Sequence, residues 1–399
     1  MKIKRKIISA TLAVGLLFAC QPKQNKGVDI PKQVQLSEQQ FSLLTTDAKK
    51  ANRLPRTLEA NGEMHFTHEK KFDWTEGFFP GSCWYLYGLT QDPKWKENAI
   101  QFQSLFKEHK DITTNHDLGF VFNCSYGNGY RMTNNEEYKQ VMIDAANALI
   151  TRFNPNVGCI KSWDVHRGWQ AERGWKYPVI IDNMMNLELL FEVSKLTGDD
   201  TFKNIAIAHA DTTLKNHYRD DNSSYHVIDY DPETGEVRNK HTAQGFAHES
   251  SWARGQAWGL YGYTLCYRYT QDEKYLNMAQ KIANYILTYK GTPEDGIPYW
   301  DYNAANIPNE PRDASAAAVT VSALIELNGY SNHDYKSNID KIMTSLSSNA
   351  YFAKPGENKH FLLKHSTGSI PHNNEIDVPL NYADYYYLEA LYRLQNLNN

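Results

Sequence analysis

The chain has 399 residues, 41% of them apolar and 13% aromatic, with a formal net charge of −4. That length and apolar share support a large buried core and exclude wholesale disorder. A mildly acidic chain with no basic block beyond its extreme N-terminus lacks the face a nucleic-acid binder needs, and five cysteines without CxxC or HExxH spacing exclude a disulfide framework or a structural zinc site.

Residues 1–19 read as a secretory signal. Lys2, Lys4, Arg5 and Lys6 form a positive start, and the apolar stretch after them is too short to span a bilayer. Leu17-Phe18-Ala19-Cys20 resembles a bacterial lipobox with Cys20 as the lipidated first mature residue, although Phe18 is bulkier than usual there; a plain signal peptide cut nearby is the alternative. Loss of residues 1–19 removes four basic and no acidic residues, taking the charge from −4 to −8. Residues 20–35 are polar, hold two prolines and are expected to be a flexible tether. No later run is apolar enough to span a membrane, so the expected location is the periplasm or outer membrane, with Cys20 the sole anchor. Residues 36–399 are expected to form a single catalytic domain.

One pattern recurs through that domain. QDPKWKENAIQFQSLF begins at Gln91, NNEEYKQVMIDAANALI at Asn134, GDDTFKNIAIAHADTTL at Gly198 and QDEKYLNMAQKIANYIL at Gln271, with a weaker NHDYKSNIDKIMTSL at Asn332. Each opens with Asn or Asp where a helix cap is wanted, then sets an aromatic residue (Trp95, Tyr138, Phe202, Tyr275, Tyr335) and apolar residues at helical spacing. Further apolar helical runs lie between them at 180–195, 257–269, 314–328 and 382–394. Such repeats predict helical hairpins that bury their apolar faces only against neighbours. Five pairs are visible, and residues 37–90 look like a degenerate first pair. Six hairpins closed into an all-α (α/α)6 toroid is the favoured reading over an open solenoid. No strong β pattern competes, and the stretches near Ser223 and Gly296 read as extended or turn-rich insertions.

Aromatic and polar residues crowd the segments between the pairs: Trp74, then His116 and Asp117, then Asp182, His226, Gln244, Arg254 and Trp258. Asp182 lies between Val179-Ile180-Ile181 and Met184-Met185. A helix there carries a carboxyl on an apolar surface, which raises its pKa and suits acid–base work; a helix-capping Asp followed by a buried Asn is the competing reading. Asp117 alone reads as a turn Asp in an Asx hydrogen bond. Trp252-Ala253-Arg254-Gly255-Gln256-Ala257-Trp258 pairs indoles that can stack a sugar with an Arg that can clamp a carboxylate or sulfate, or else packs a hairpin start. Cys83, Cys124, Cys159 and Cys266 look like small buried hydrophobes. GxSxG, GxGxxG and P-loop motifs are absent, which leaves paired carboxylates as the best chemical resource.

At these residues the chain resembles the unsaturated glucuronyl hydrolases of glycoside hydrolase family 88. WTEGFFPG, NHDLGF, IIDNMMNLELL, SSYHVIDYDPETGE, SWARGQAWGLYGY and EIDVPLNYADYYYLEAL occur in the family's order, from about Trp74 to the C-terminus. The resemblance implies an (α/α)6 toroid, no metal and no cofactor. It implies removal of a 4,5-unsaturated uronic acid from lyase-generated oligosaccharides, glycosaminoglycan disaccharides first, by hydration of the vinyl ether. It makes Asp182 the general acid and base and gives Asp117 control of its pKa. It gives Trp74, His116, Trp163, His226, Gln244, Arg254 and Trp258 to the sugar, with Trp169 and Trp175 competing with Trp163. The segment holding Ser366 and Ser369 resembles the loop that meets the second sugar, where the two hydroxyls suit a sulfate. Lys161, Arg167 and Arg173 are rim candidates for the same group. The rivals are an unsaturated rhamnogalacturonyl hydrolase acting on pectin fragments, a non-catalytic glycan-binding lipoprotein, and an inverting glycosidase acting on a saturated glycan.

Overall fold

The structure is a computed structural model that describes residues 27–68 and 70–397. The signal segment, Cys20 and the first part of the tether lie outside the described residues. The tether ends sooner than expected: the first helix begins at Ile30, capped by the Asp29 carboxylate, and already buries Gln33 and Val34. Pro31 is no obstacle, because a first-turn proline removes an N–H that has no helical partner anyway.

Two concentric sets of helices follow. Among the described residues, six form the inner wall: Phe78–Thr90, Gly119–Gly127 running into Asn128–Thr133, Ile181–Asn186 running into Leu187–Thr197, Ala253–Thr270, Ala314–Asn328 and Asn381–Leu397. Six more lie outside them: Ile30–Ala51, Pro93–Gln103, Glu136–Ile150, Asp200–Asn216, Glu273–Thr288 and Lys336–Leu346. Each inner helix packs on the next, and the last packs on the first, so the ring closes as an (α/α)6 toroid. Closure needs close approaches. A Cβ on Gly262 would stand 2.5 Å from the Met184 Cβ, so only glycine fits that helix crossing.

Four of the inner-to-outer turns share one chemistry. Thr90, Thr133, Thr197 and Thr270 each turn their hydroxyl back to the carbonyl four residues earlier. The next residue (Gln91, Asn134, Gly198 or Gln271) takes the left-handed conformation, and Asp92, Asn135, Asp199 or Asp272 then caps the outer helix. The fifth repeat departs from this: its helix starts at Lys336 and the side chain of its cap residue, Tyr335, makes no capping bond. All five aromatic anchors are buried as expected, and the four cysteines are buried and free.

The two ends of the toroid differ sharply. These four turns are two residues long, whereas the outer-to-inner connections run from 15 to 36 residues. The long connections hold the small sheets. Tyr177–Ile180, Val227–Tyr230 and Val237–His241 form an antiparallel sheet, and Ser366–Ser369 pairs with Asn374–Val378. The stretch near Ser223 is extended as expected and supplies the strand Val227–Tyr230, whereas the one near Gly296 forms only isolated bridges. The strand Tyr177–Ile180 splits the apolar run at 180–195 into a strand end, a 3-10 turn and a helix. Val, Ile and Tyr buried on both faces made that run indistinguishable from helix by periodicity. Loops that can vary without disturbing the ring are where binding groups gather, so the long-loop end is the functional end.

Trp95 tests the repeat reading. It is fully buried, and its indole N–H donates to Glu38 of the first outer helix at 2.8 Å. Trp95→Ala should cost about 3–5 kcal/mol in urea unfolding; a loss near zero would remove the anchors from the account of stability.

Candidate active site

Each inner helix delivers one residue at or just before its first turn on the long-loop end: Trp74, Asp117, Asp182, Arg254, Asp313 and Tyr382. Beside them opens a cavity of about 320 Å³ lined by Arg56, Trp74, Trp163, Gln244, Arg254 and Tyr382, among others. Asp117 and Asp182 do not line it themselves; their side chains are 11% and 13% exposed, and the charge of Arg254, which does line it, acts on Asp182.

The turn before Asp117 is an Asx turn, but Asn115 makes it. The Asn115 carboxamide accepts the Asp117 N–H at 2.9 Å, which leaves the Asp117 carboxyl uncommitted. Asp182 is no cap either: it lies inside the 3-10 turn, after Ile180, and its Oδ2 is buried without a hydrogen-bond partner. Burial pushes Asp182 up to about 7, against the pull of Arg254 and the Trp258 indole N–H. Burial and the neighbouring Asp182 push Asp117 up to about 8. The two titrate as a pair, and around neutral pH they share protons.

Strand pairing brings the first histidine in. The Ile180–Val227 register continues into an Ile181 N–H to His226 carbonyl bond, which sets His226 beside Asp182. His226 Nδ1 accepts two backbone N–H groups, from Ala243 and Gln244, at 3.0 and 3.1 Å. The ring proton must therefore sit on Nε2, which faces Asp182 Oδ2 at 3.6 Å. Burial, with Arg254 nearby, holds this ring well below the usual imidazole range, so it stays neutral.

Arg254 is buried and already employed. It donates to Asp313 Oδ2 at 2.8 Å and to the Thr367 and Gly368 carbonyls, and lies over the Trp252 ring at 4.5 Å. Asp313 in turn caps the Ala314–Asn328 helix, so this Arg ties three segments together while facing the cavity. Gln244 donates to the Gly368 carbonyl at 3.4 Å. Trp163, Trp169 and Trp175 do not compete: they form one cluster, Trp163 stacked on Trp175 at 5.8 Å and edge-on to Trp169 at 5.1 Å.

Several expectations need correction. Trp258 is fully buried between Phe120 and Tyr386, so it offers no face to a sugar; its indole N–H lies near Asp182 and has no hydrogen-bond partner. His116 is likewise buried, behind Asp117. Ser366 is a buried strand residue, whereas Ser369 lines the cavity and bonds His372 at 2.7 Å; the segment is a hairpin strand and not a loop. Lys161 faces a different cavity, with Thr113 and Asn154. Arg173 stacks over Trp169 and Trp175, and Arg167 is exposed. Sequence reasoning missed Arg56, Glu375, His372, Asp313 and Tyr382. Arg56 bridges Asp73 and Glu375 at 2.5 and 2.8 Å, a long-range pairing that no local motif announces. Tyr382 was legible in principle, since it starts an inner helix as Asp117 and Arg254 do.

Residues 48–395 match the family model described as Glycosyl Hydrolase Family 88. A curated unsaturated glucuronyl hydrolase of Formosa agariphila is 45% identical over 98% of this chain and 99% of its own. The crystal structure of an unsaturated glucuronyl hydrolase specific for heparin superposes with a TM-score of 0.87 at 43% identity, over 92% of this chain and 97% of that one. A mutant unsaturated glucuronyl hydrolase from Streptococcus agalactiae complexed with dGlcA-GalNAc6S gives 0.76 at 29% identity, over 92% and 91%.

A carboxyl whose folded pKa is raised binds more protons in the native than in the unfolded state, so its contribution is favourable at low pH and is lost as pH rises toward the folded value. The relevant window runs from about pH 4, where unfolded carboxyls titrate, up to the values near 7 and 8 of the buried pair. Asp182→Asn and Asp117→Asn should each be more stable than wild type at about pH 8, by about 2 kcal/mol, with the gain vanishing near pH 4. Denaturant melts at both pH values measure this, and equal stability at high pH would mean that the carboxyls are not strained by burial.

Proposed function

The chain belongs to Glycosyl Hydrolase Family 88, and from that premise we propose that it removes the 4,5-unsaturated uronic acid from the non-reducing end of lyase-generated glycosaminoglycan oligosaccharides. The observation that carries the reading is the buried pair Asp117 and Asp182, which keeps a carboxylic acid protonated near neutral pH close to a sugar-sized, aromatic-lined cavity whose Arg254 acts on Asp182. In this reading Asp182 gives its proton to C4 of the vinyl ether. The resulting carboxylate takes a proton from water as that water adds to C5. The product is a hemiketal, which opens and releases the second sugar. This differs from two-carboxylate glycoside hydrolysis, where the leaving oxygen is protonated and the anomeric carbon attacked. Asp117 shares protons with Asp182 and meets substrate hydroxyls. Trp74 and Trp163 border the ring, His226, Gln244 and Arg254 serve its polar edge, and Ser369 stands where the second sugar begins.

The relatives' substrates order the tests: heparin-derived disaccharides first, then sulfated chondroitin ones. The remaining expectations are part of the same proposal. A lyase supplies the substrate, residues 1–19 export the chain, and a lipid on Cys20 holds it in the periplasm or at the outer membrane. No described helix is long and apolar enough to cross a membrane.

Loss of the ultraviolet absorbance of the double bond reports turnover directly. Wild type should consume it, and Asp182→Asn should lose at least about a hundredfold in kcat while still binding the disaccharide. A folded wild type that leaves every glycosaminoglycan digest untouched would turn the search to pectin fragments. Cys20→Ser should move the protein from the membrane fraction to the soluble periplasm; unchanged membrane association would refute the lipid anchor.

A further inference from the structure

Two asparagines lie on the same turn as Asp182, and the reaction as described uses neither. Asn186 ends that turn and is fully buried. Its Oδ1 accepts the Phe120 N–H at 3.0 Å, from the helical segment that follows Asp117. The backbones meet here: a Cβ on Gly119 would stand 2.4 Å from the Asn186 Cα, so the two carboxylate-bearing segments touch at this pair. With its oxygen fixed, the Asn186 amide must present Nδ2–H on its other side, and there it lies 3.4 Å from His116 Nδ1. The opposite ring nitrogen, Nε2, faces Asp117 Oδ1 at 3.4 Å. Asn183 reaches the same ring; its Nδ2 is taken by the Ile160 carbonyl, so its unpartnered Oδ1 is the atom left for the imidazole. A donor on Nδ1 and the Asp117 carboxyl oxygen opposite Nε2 select one neutral tautomer.

We propose that Asn186 is a positioning residue of the acid–base site: its carboxamide, gripped by the Phe120 N–H, holds His116 as the Nε2–H tautomer and so keeps a neutral donor on Asp117. The inference rests on the reading of Asp117 and Asp182 as the working carboxylates. His116 then serves Asp117 as His226 serves Asp182. Without that donor Asp117 binds its proton more tightly, the shared proton moves away from Asp182, and the reactive form is depleted. The other charged groups facing Asp117 are Asp182 from the neighbouring turn, Arg152 after the Glu136–Ile150 helix and Asp73 ahead of Phe78; Arg152 and His209 act on His116. Asn186 also bonds Asp117 directly and lowers its pKa, so the state of the His116 ring is what separates the two routes.

The test combines nitrogen-15 NMR of the histidine rings, with His116 assigned through His116→Gln, and kinetics of Asn186→Asp. Aspartate keeps an oxygen for the Phe120 N–H but removes the amide donor. In wild type His116 should be the neutral Nε2–H tautomer throughout the active pH range. In Asn186→Asp the ring proton should move from Nε2 to Nδ1. kcat should fall about tenfold with KM little changed, and both limbs of the pH profile should move up by about half a unit or more. A wild-type ring protonated on Nδ1 overturns the proposal even if the variant does not fold. So does a variant whose activity and melting temperature fall while ring and pH profile stay in place. Asp182→Asn separates the two readings: full turnover there removes the acid–base assignment, whereas lost turnover beside an unmoved Asn186→Asp profile removes only the role of Asn186.

Discussion

Everything at the functional end depends on closing a ring of six helices. Each inner helix has two inner neighbours and an outer partner, so its apolar surface runs nearly all round, as in the Ala314–Asn328 helix, where almost every residue is buried. Such helices cannot drift without breaking contacts on both sides. Their first turns therefore converge at fixed positions, and side chains from six distant stretches of sequence gather at one end, with Trp74, Arg254 and Tyr382 lining one cavity. The close backbone approaches at Gly119 and Gly262 set how tightly the ring draws in. Precision at the site is a consequence of packing far larger than the site itself.

That precision works against stability at one place. Two carboxyls are held nearly out of solvent: Asp182 Oδ2 has no hydrogen-bond partner, and Asp117 draws on the Asn186 side chain. The contrast with Asp384 is instructive. It is equally buried, but its oxygens accept the Leu362 and Leu363 N–H groups, and it pins a loop. Asp182 has the environment of a structural carboxylate without the partners of one. The nearby histidines do not repair this by charging, because burial keeps both neutral. They supply oriented N–H groups and leave the proton count of the carboxyl pair alone.

The helical hairpins were legible because they repeat. An Asp or Asn cap, a buried aromatic and helical spacing mark four repeats clearly and a fifth weakly, and the degenerate first pair completes the six of the toroid. The threonine that turns back on its own helix and the left-handed residue after it belong to the same signal, yet a search for caps alone passes over them. Asp182 was legible because a carboxylate among Val, Ile and Met has few other uses. His116, Trp258 and Ser366 were misplaced for one reason: a motif fixes which residues belong to a site, but not which of them reach its surface. Arg56 with Glu375, and Arg254 with Asp313, were beyond reach, since each pair joins segments far apart in the chain whose meeting depends on ring closure.

Those ion pairs bear on how an anionic sugar is received. Arg56 is matched by Asp73 and Glu375, and Arg254 by Asp313, so the cavity's guanidinium groups arrive already neutralised. A uronate entering beside two ionised carboxylates would meet net repulsion in a medium that screens it poorly. Entering beside a pair that holds protons, it meets none, and its own charge then raises the affinity of the pair for those protons. Binding and protonation thus favour each other by linkage. In the proposed mechanism the same raised pKa values that ready Asp182 to protonate a carbon also admit the substrate, and burial of the two carboxyls is the larger cause of both.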